Sequence, residues 1–269
     1  MDMCVSIRDQ IEFQGRYAEI NREERNYAAI LYAALLQEKN LKTFVDIVGA
    51  STRDIHDKDF GMYFEYAFLR DLWNQIRGQH ANQRKRQLIL SHLQLSNQEE
   101  VEDLSIRDFN QYFGVSGSPS NRHIQSPGVW SIRKYHPHIV DDEDFYKVCT
   151  FKWSFNIKPD LVIHLNRNKA ICVEIKYTAG EGVYPSSGVD KKIFRKRGLS
   201  NVKQTELQQY MMEELLGFKT NFVFLVYKPS KSDIHTILTW AEVFEYLDID
   251  NLPNFANDMI GNVLDDSVS

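Results

Sequence analysis

Cysteine is scarce in this chain: Cys4, Cys149 and Cys172 are three thiols in 269 residues, scattered and without a C-x-x-C pair. That number and spacing exclude a disulfide framework, a zinc knuckle and a four-thiolate iron–sulfur site. No apolar run approaches the roughly 18 residues needed to span a membrane. The opening residues, MDMCVSIRDQIEFQG, lack the basic-then-apolar pattern of a secretory leader. A cytoplasmic protein is the expectation. The sequence has no G-x-x-x-x-G-K-[ST], no G-x-S-x-G and no zinc-finger spacing, so it is not expected to use ATP by itself. Lys and Arg are missing from Ser232 to Ser269, where eight acids occur.

What is present is enough for one sizeable core, or for one core with an attached helical subdomain, since 43% of the residues are apolar. The net charge of −5 argues against a protein that simply coats nucleic acid. The charge is polarised, however. Lys191, Lys192, Arg195, Lys196, Arg197 and Lys203 lie between Asp190 and Lys203 with one acid among them.

Periodicity predicts helices over about 20–38, with Asn21 as N-cap, about 57–77, about 81–95, and from Ser105 to Phe113. Residues 114–128 are turn-forming throughout. FKWSF (151–155) alternates as a strand does, and DLVIHL (160–165) and AICVEI (170–175) read as a β-hairpin. A basic, glycine-containing connection (177–200) leads to a helix over about 201–216. Then come a strand at 221–227, another at 234–238, a short helix at 240–247 and a loosely packed acidic tail from 251. The expected organisation is an N-terminal helical region (1–55), an α/β domain (56–250) with a helical and loop insertion at about 78–145, and the tail (251–269). The α/β core carries one mixed sheet flanked by helices.

The chemistry concentrates in KPDLVIHLNRNKAICVEIKY. Asp160 opens one strand, and Glu174 and Lys176 end the next. Side chains alternate along a strand, so Glu174 and Lys176 share a face while Val173 and Ile175 take the other. Burying an acid and a base on a central strand is costly without compensation. A divalent cation held by Asp160 and Glu174 would supply it. Mg²⁺ takes carboxylate, water and phosphate oxygens, which suits phosphodiester hydrolysis. Lys176 would orient or activate the attacking water and stabilise developing charge. A five-residue hairpin loop (165–169) is required to set Asp160 opposite Glu174.

Pro159-Asp160, thirteen residues, then Glu174-Ile175-Lys176 resembles the signature of the PD-(D/E)XK nuclease superfamily. The resemblance implies a restriction-endonuclease-like core of order αβββαβ that hydrolyses nucleic acid, with DNA the leading substrate and RNA the alternative. It implies Mg²⁺ or Mn²⁺ held by Asp160, Glu174 and the carbonyl of Ile175, with Lys176 as the catalytic lysine. Glu65 shares a helical stripe with Leu69, Leu72 and Ile76. By the same resemblance it would reach the metal or a water ligand from the helix before the first strand; pairing with a surface cation is the alternative. Glu206 to Tyr210 is similar to the Gln-x-x-x-Tyr motif of the RecB-like branch, with Tyr210 matching and Glu206 standing where that branch has Gln. Gln204 and Gln208, one turn apart, are the other candidates to face the substrate. The basic residues of 191–203 are expected to contact phosphates.

A competing class is a non-catalytic binding module of the same fold within a larger defence or repair assembly, with the N-terminal helices contacting a protein partner. His136-Pro137-His138 beside Asp141–Asp144 reads as an exposed turn rather than a metal cluster.

Overall fold

Two helices lead the described chain, α1 (Glu24–Leu35) and α2 (Glu38–Ile47), followed by strand β1 (Gly61–Phe64). Six helices come next: α3 (Phe68–Gln75), α4 (Ala81–Leu93), α5 (Gln98–Glu102), α6 (Ile106–Tyr112), α7 (Ile132–Tyr135) and α8 (Asp142–Ser154). The hairpin β2 (Leu161–His164) and β3 (Lys169–Ile175) follows. After it run β4 (Val183–Tyr184), α9 (Gly188–Lys196), β5 (Val202–Lys203) and α10 (Gln204–Gln209), which continues as a π-helical turn over Tyr210–Leu215. β6 (Lys219–Val226), β7 (Thr236–Thr239), α11 (Trp240–Phe244) and α12 (Asn254–Asp266) complete it. The computed structural model describes residues 21, 23–56, 58–177, 180–228 and 235–266. Cys4, the start of the expected helix at 20 and Ile234 of the expected last strand lie outside them.

The architecture is α/β, built on a mixed five-stranded sheet of order β1-β2-β3-β6-β7. The pairs β1–β2 and β2–β3 are antiparallel, whereas β3–β6 and β6–β7 are parallel. Both faces of the central strands are covered, which explains their near-continuous apolar sequence. Leu161, Ile163, Ile171, Val173, Ile175, Val223 and Leu225 face one layer, made by α1, α2, α11 and α12. The alternate residues Val162, Ala170, Cys172 and Phe222 face the helical segment inserted between β1 and β2, together with α9 and α10. Among the described residues no helix is long and apolar enough to cross a membrane.

The hairpin forms as the sequence predicts. Asn166 Oδ1 accepts from the N–H groups of Asn168 and Lys169, an Asx turn that closes the loop. Several expectations need correction. The first expected helix breaks at Leu36–Gln37, and Glu23 rather than Asn21 occupies its N-cap position. The segment 57–77 holds a strand and a short helix, not one long helix. Aromatic residues at the sheet edge (Tyr63, Phe64) outweigh the apparent helical period. FKWSF is the last turn of α8, where Phe151, Trp153 and Phe155 are all buried. The acidic run before it is a helix start, not an exposed turn: Asp141 caps α8 by accepting from the Asp144 N–H at 2.9 Å. The basic connection folds into α9. The acidic tail forms α12, with Ala256, Met259, Ile260 and Val263 buried against the sheet-covering layer that includes α1.

Candidate active site

Register places the two acids together. Leu161 pairs with Val173 and His164 with Ala170. Extending the ladder one step sets Asp160 opposite Glu174, as the five-residue loop requires. The Ile175 N–H donates to Asp160 Oδ2 at 2.8 Å. Because the N–H and C=O of a strand residue point to the same side, the Ile175 carbonyl also faces Asp160. On the other side, Lys176 N–H donates to Leu225 O on β6 at 2.8 Å. The indole N–H of fully buried Trp240 reaches the Lys176 carbonyl at 3.4 Å. The end of β3 is therefore held from both sides.

Glu174 is 1% exposed and densely coordinated. Lys176 Nζ lies 2.7 Å from its Oε1, which also accepts from Gln204 Nε2 at 2.7 Å. Gln208 Nε2 donates to Oε2. α10 thus delivers both glutamines to the end of β3, one helical turn apart. Its start is fixed by Glu181, which accepts from the Thr205 N–H, and by Gly182, whose carbonyl accepts from the Gln204 N–H. A Cβ on Gly182 would meet Gln204 Oε1 at 2.5 Å, so a larger residue here would displace the Gln204 amide.

Lys176 has a second partner that the sequence did not disclose. Glu24, at the first turn of α1, places Oε2 3.3 Å from Lys176 Nζ and accepts from the Tyr177 N–H through Oε1 at 3.0 Å. The signal available was a glutamate in a helix's first turn, which ordinarily indicates only dipole compensation. Tyr27, one turn on, stacks on Tyr177 with ring centroids 4.8 Å apart and locks α1 against the strand end.

Glu24, Asp160, Glu174, Lys176 and Gln204 line a cleft of about 660 Å³, with Glu23, Arg25, Glu65, Lys158 and Tyr184 also in its wall. It lies beyond the carboxyl end of β3, where open α/β sheets commonly bind ligands. Five carboxylates (Glu23, Glu24, Glu65, Asp160, Glu174) face three cations (Arg25, Lys158, Lys176), a formal excess of two negative charges. Burial raises the Asp160 carboxyl to about 6, against the lowering influence of the Ile175 N–H and Lys176; Glu24 and Glu65 add to the rise. Burial and the neighbouring Asp160 push Glu174 up to about 7, with Lys176 and Gln208 opposing. Burial by itself would lower the Lys176 ammonium, but Glu174, Glu24 and Asp160 outweigh it and the net shift is upward. Lys176 is a cation at neutral pH.

The donor set fits a hard divalent cation. Two facing carboxylates that destabilise each other's charge, beside a backbone carbonyl, are the oxygen ligands Mg²⁺ or Mn²⁺ prefers. Buried Gln208 Oε1 has no hydrogen-bond donor among the described residues. Among the described residues no three His, Cys, Asp or Glu side chains are grouped to cage a metal. Two acids, the carbonyl, water and substrate would complete the shell.

Other expected residues are placed differently from the sequence reading. Glu65 is not on a helix: it follows β1 with φ of +53°, and its two oxygens pair with Arg25 Nε (3.2 Å) and Lys158 Nζ (3.7 Å). Leu72 of the supposed stripe is exposed. Tyr210 packs against the core rather than lining the cleft, and burial raises its hydroxyl to about 12. Gln204 and Gln208 take the place expected for it. Arg197 is an internal clamp and not a phosphate contact. It lies 2.7 Å from Asp142, donates to the carbonyls of His136, Ile139 and Val140, and covers the Phe145 ring at 4.1 Å. Lys192, Arg195, Lys196 and Lys203 remain solvent-exposed, and Lys191 is half-buried.

Compared with known proteins, the chain matches no family model, no curated protein and no solved structure.

Proposed function

We propose that this chain is a divalent-cation-dependent nuclease of the restriction-endonuclease-like kind, acting on DNA in preference to RNA. The observation that carries the reading is the buried Asp160–Glu174 pair beside Lys176, facing one another in a cleft with excess negative charge. A cleft of that sign repels a phosphodiester until a cation enters it. Asp160, Glu174 and the Ile175 carbonyl would hold Mg²⁺ or Mn²⁺, which when bound neutralises phosphate charge and acidifies a bound water.

The protein's own part is positional and electrostatic. Lys176 is held between Glu174 and Glu24, so its ammonium has little rotational freedom to lose. As a cation it cannot accept a proton. It donates hydrogen bonds to the attacking water or to a non-bridging phosphate oxygen, where negative charge grows in the transition state. Gln204 and Gln208 orient the Glu174 carboxylate, and α10 is capped so that both reach it.

The purified protein is expected to nick or degrade DNA with Mg²⁺ or Mn²⁺. Lys176→Ala should lower the rate on the order of 10²–10⁴-fold while leaving metal uptake measurable by calorimetry. Asp160→Ala and Glu174→Ala should lose both uptake and cleavage. Cleavage that persists in EDTA, or in a triple variant, would end this reading.

A further inference from the structure

Arg25 and Lys158 have no part in the chemistry above, yet both stand in the wall of the same cleft. They come from distant points of the chain, α1 and the approach to β2, and converge on one carboxylate. Arg25 Nε lies 3.2 Å from Glu65 Oε1 and Lys158 Nζ 3.7 Å from Glu65 Oε2. One cation per oxygen of a shared anion is also how two side chains hold the two non-bridging oxygens of a phosphodiester.

Glu65 is fixed where it does this. Its backbone N–H donates to Asp160 O at 2.9 Å, and the next residue's N–H to Pro159 O at 3.0 Å. Its φ of +53° is left-handed, which is unusual for a glutamate. The three side chains are reachable from solvent: Arg25 is 74% exposed, Lys158 41% and Glu65 28%. Ion pairs as exposed as these are weak and exchange readily.

We propose that Arg25 and Lys158 form a phosphate anchor for the nucleic-acid backbone next to the scissile bond, with Glu65 as the internal anion that the phosphate displaces. The inference rests on the nuclease reading and adds to it the residues that seat the substrate. It assigns Glu65 to guarding the anchor instead of ligating the metal. It also resolves the sign of the cleft: the carboxylate pair takes a cation, and the rim supplies positive charge to the polyanion once Glu65 lets go.

The test is fluorescence anisotropy of a labelled 20-mer DNA with the full chain, in Ca²⁺ to hold back cleavage, across a salt series. Arg25→Ala and Lys158→Ala should each weaken binding about tenfold and each reduce the log–log salt slope by about one. Arg25→Lys should retain most of the affinity. Glu65→Gln should tighten binding severalfold and leave calorimetric Mg²⁺ uptake intact. If the alanine variants bind as the unmodified chain does, or if Glu65→Gln abolishes Mg²⁺ uptake, the anchor is wrong while the nuclease reading stands. If the unmodified chain binds neither DNA nor RNA, both fall. Binding that depends on Arg25 and Lys158 in a chain that cleaves nothing would overturn the nuclease reading and, with it, the placement of the anchor beside a scissile bond.

Discussion

Asp160, Glu174 and Lys176 were legible in the sequence because their relation is local: a hairpin with a fixed loop length converts spacing into a shared face. Glu24 was not legible, because it meets Lys176 across 152 residues and only folding makes the pair. Glu65 lines the cleft, although the helical stripe that its spacing suggests does not form. Another residue hidden from sequence reasoning is His164, which had no spaced partner. It is buried among Tyr63, Tyr66, Phe68 and Phe218, and its Nε2 meets the Tyr66 hydroxyl at 2.8 Å. Burial pulls its pKa from 6.5 down to about 4, so the native state holds it neutral. Stability from this group is present above about 6.5 and is lost as the pH falls towards 4. Urea melts from pH 7 to pH 4.5, read as the difference between the unmodified chain and the double variant described next, should show that decline, because the opposite drift from Asp160 and Glu174 is common to both proteins. The double variant His164→Phe with Tyr66→Phe removes both polar ends together and should flatten this component. An unchanged slope in the double variant would place the titration elsewhere.

At the scale of elements, strong signals came from segments whose two faces differ or whose ends carry turn chemistry. β2, β3 and β6 have the apolar density of strands covered on both sides, and Asn166 marks the hairpin turn. The failures have a common physical cause. β1 and α3 are both short and aromatic, and end to end they imitate one helical period. The end of α8 is buried around much of its circumference, so its aromatic residues look like a strand. The C-terminal helix was missed because its charge suggested solvent. In fact Asp258 and its neighbours flank a buried stripe of Ala256, Met259, Ile260 and Val263. α12 belongs to the same core layer as α1, the helix that carries Glu24 and Arg25. Ile260 is fully buried, and Ile260→Ala should cost about 2–5 kcal/mol of unfolding free energy in urea. A cost under about 0.5 kcal/mol, as for a surface position, would mean that α12 does not pack as described.

For the whole molecule, the two layers meet at the carboxyl end of β3, and the site takes groups from both. Glu174 and its glutamines lie on the α10 side, whereas Glu24 and Arg25 arrive from the α1 side. Closing the core therefore forces carboxylates together, and the metal-free fold bears that cost. Asp160 rises from 3.8 to about 6 and Glu174 from 4.5 to about 7. Raised acid pKa values mean that the native state holds protons the unfolded chain has released. Their contribution is complete below about pH 4 and is lost as the pH climbs through 6 and 7. A divalent cation held by the pair would compete with those protons, so its stabilisation should grow over the same interval. At a hundredfold excess over its dissociation constant, Mg²⁺ adds about 2.7 kcal/mol, on the order of 5–10 °C in Tm for a chain of this size. Scanning calorimetry should therefore show a rise of that order at pH 8, little at pH 5, and none at either pH in Asp160→Ala. An equal rise at both pH values, or one that survives in Asp160→Ala, would mean that the cation binds elsewhere and that the buried pair serves the fold alone.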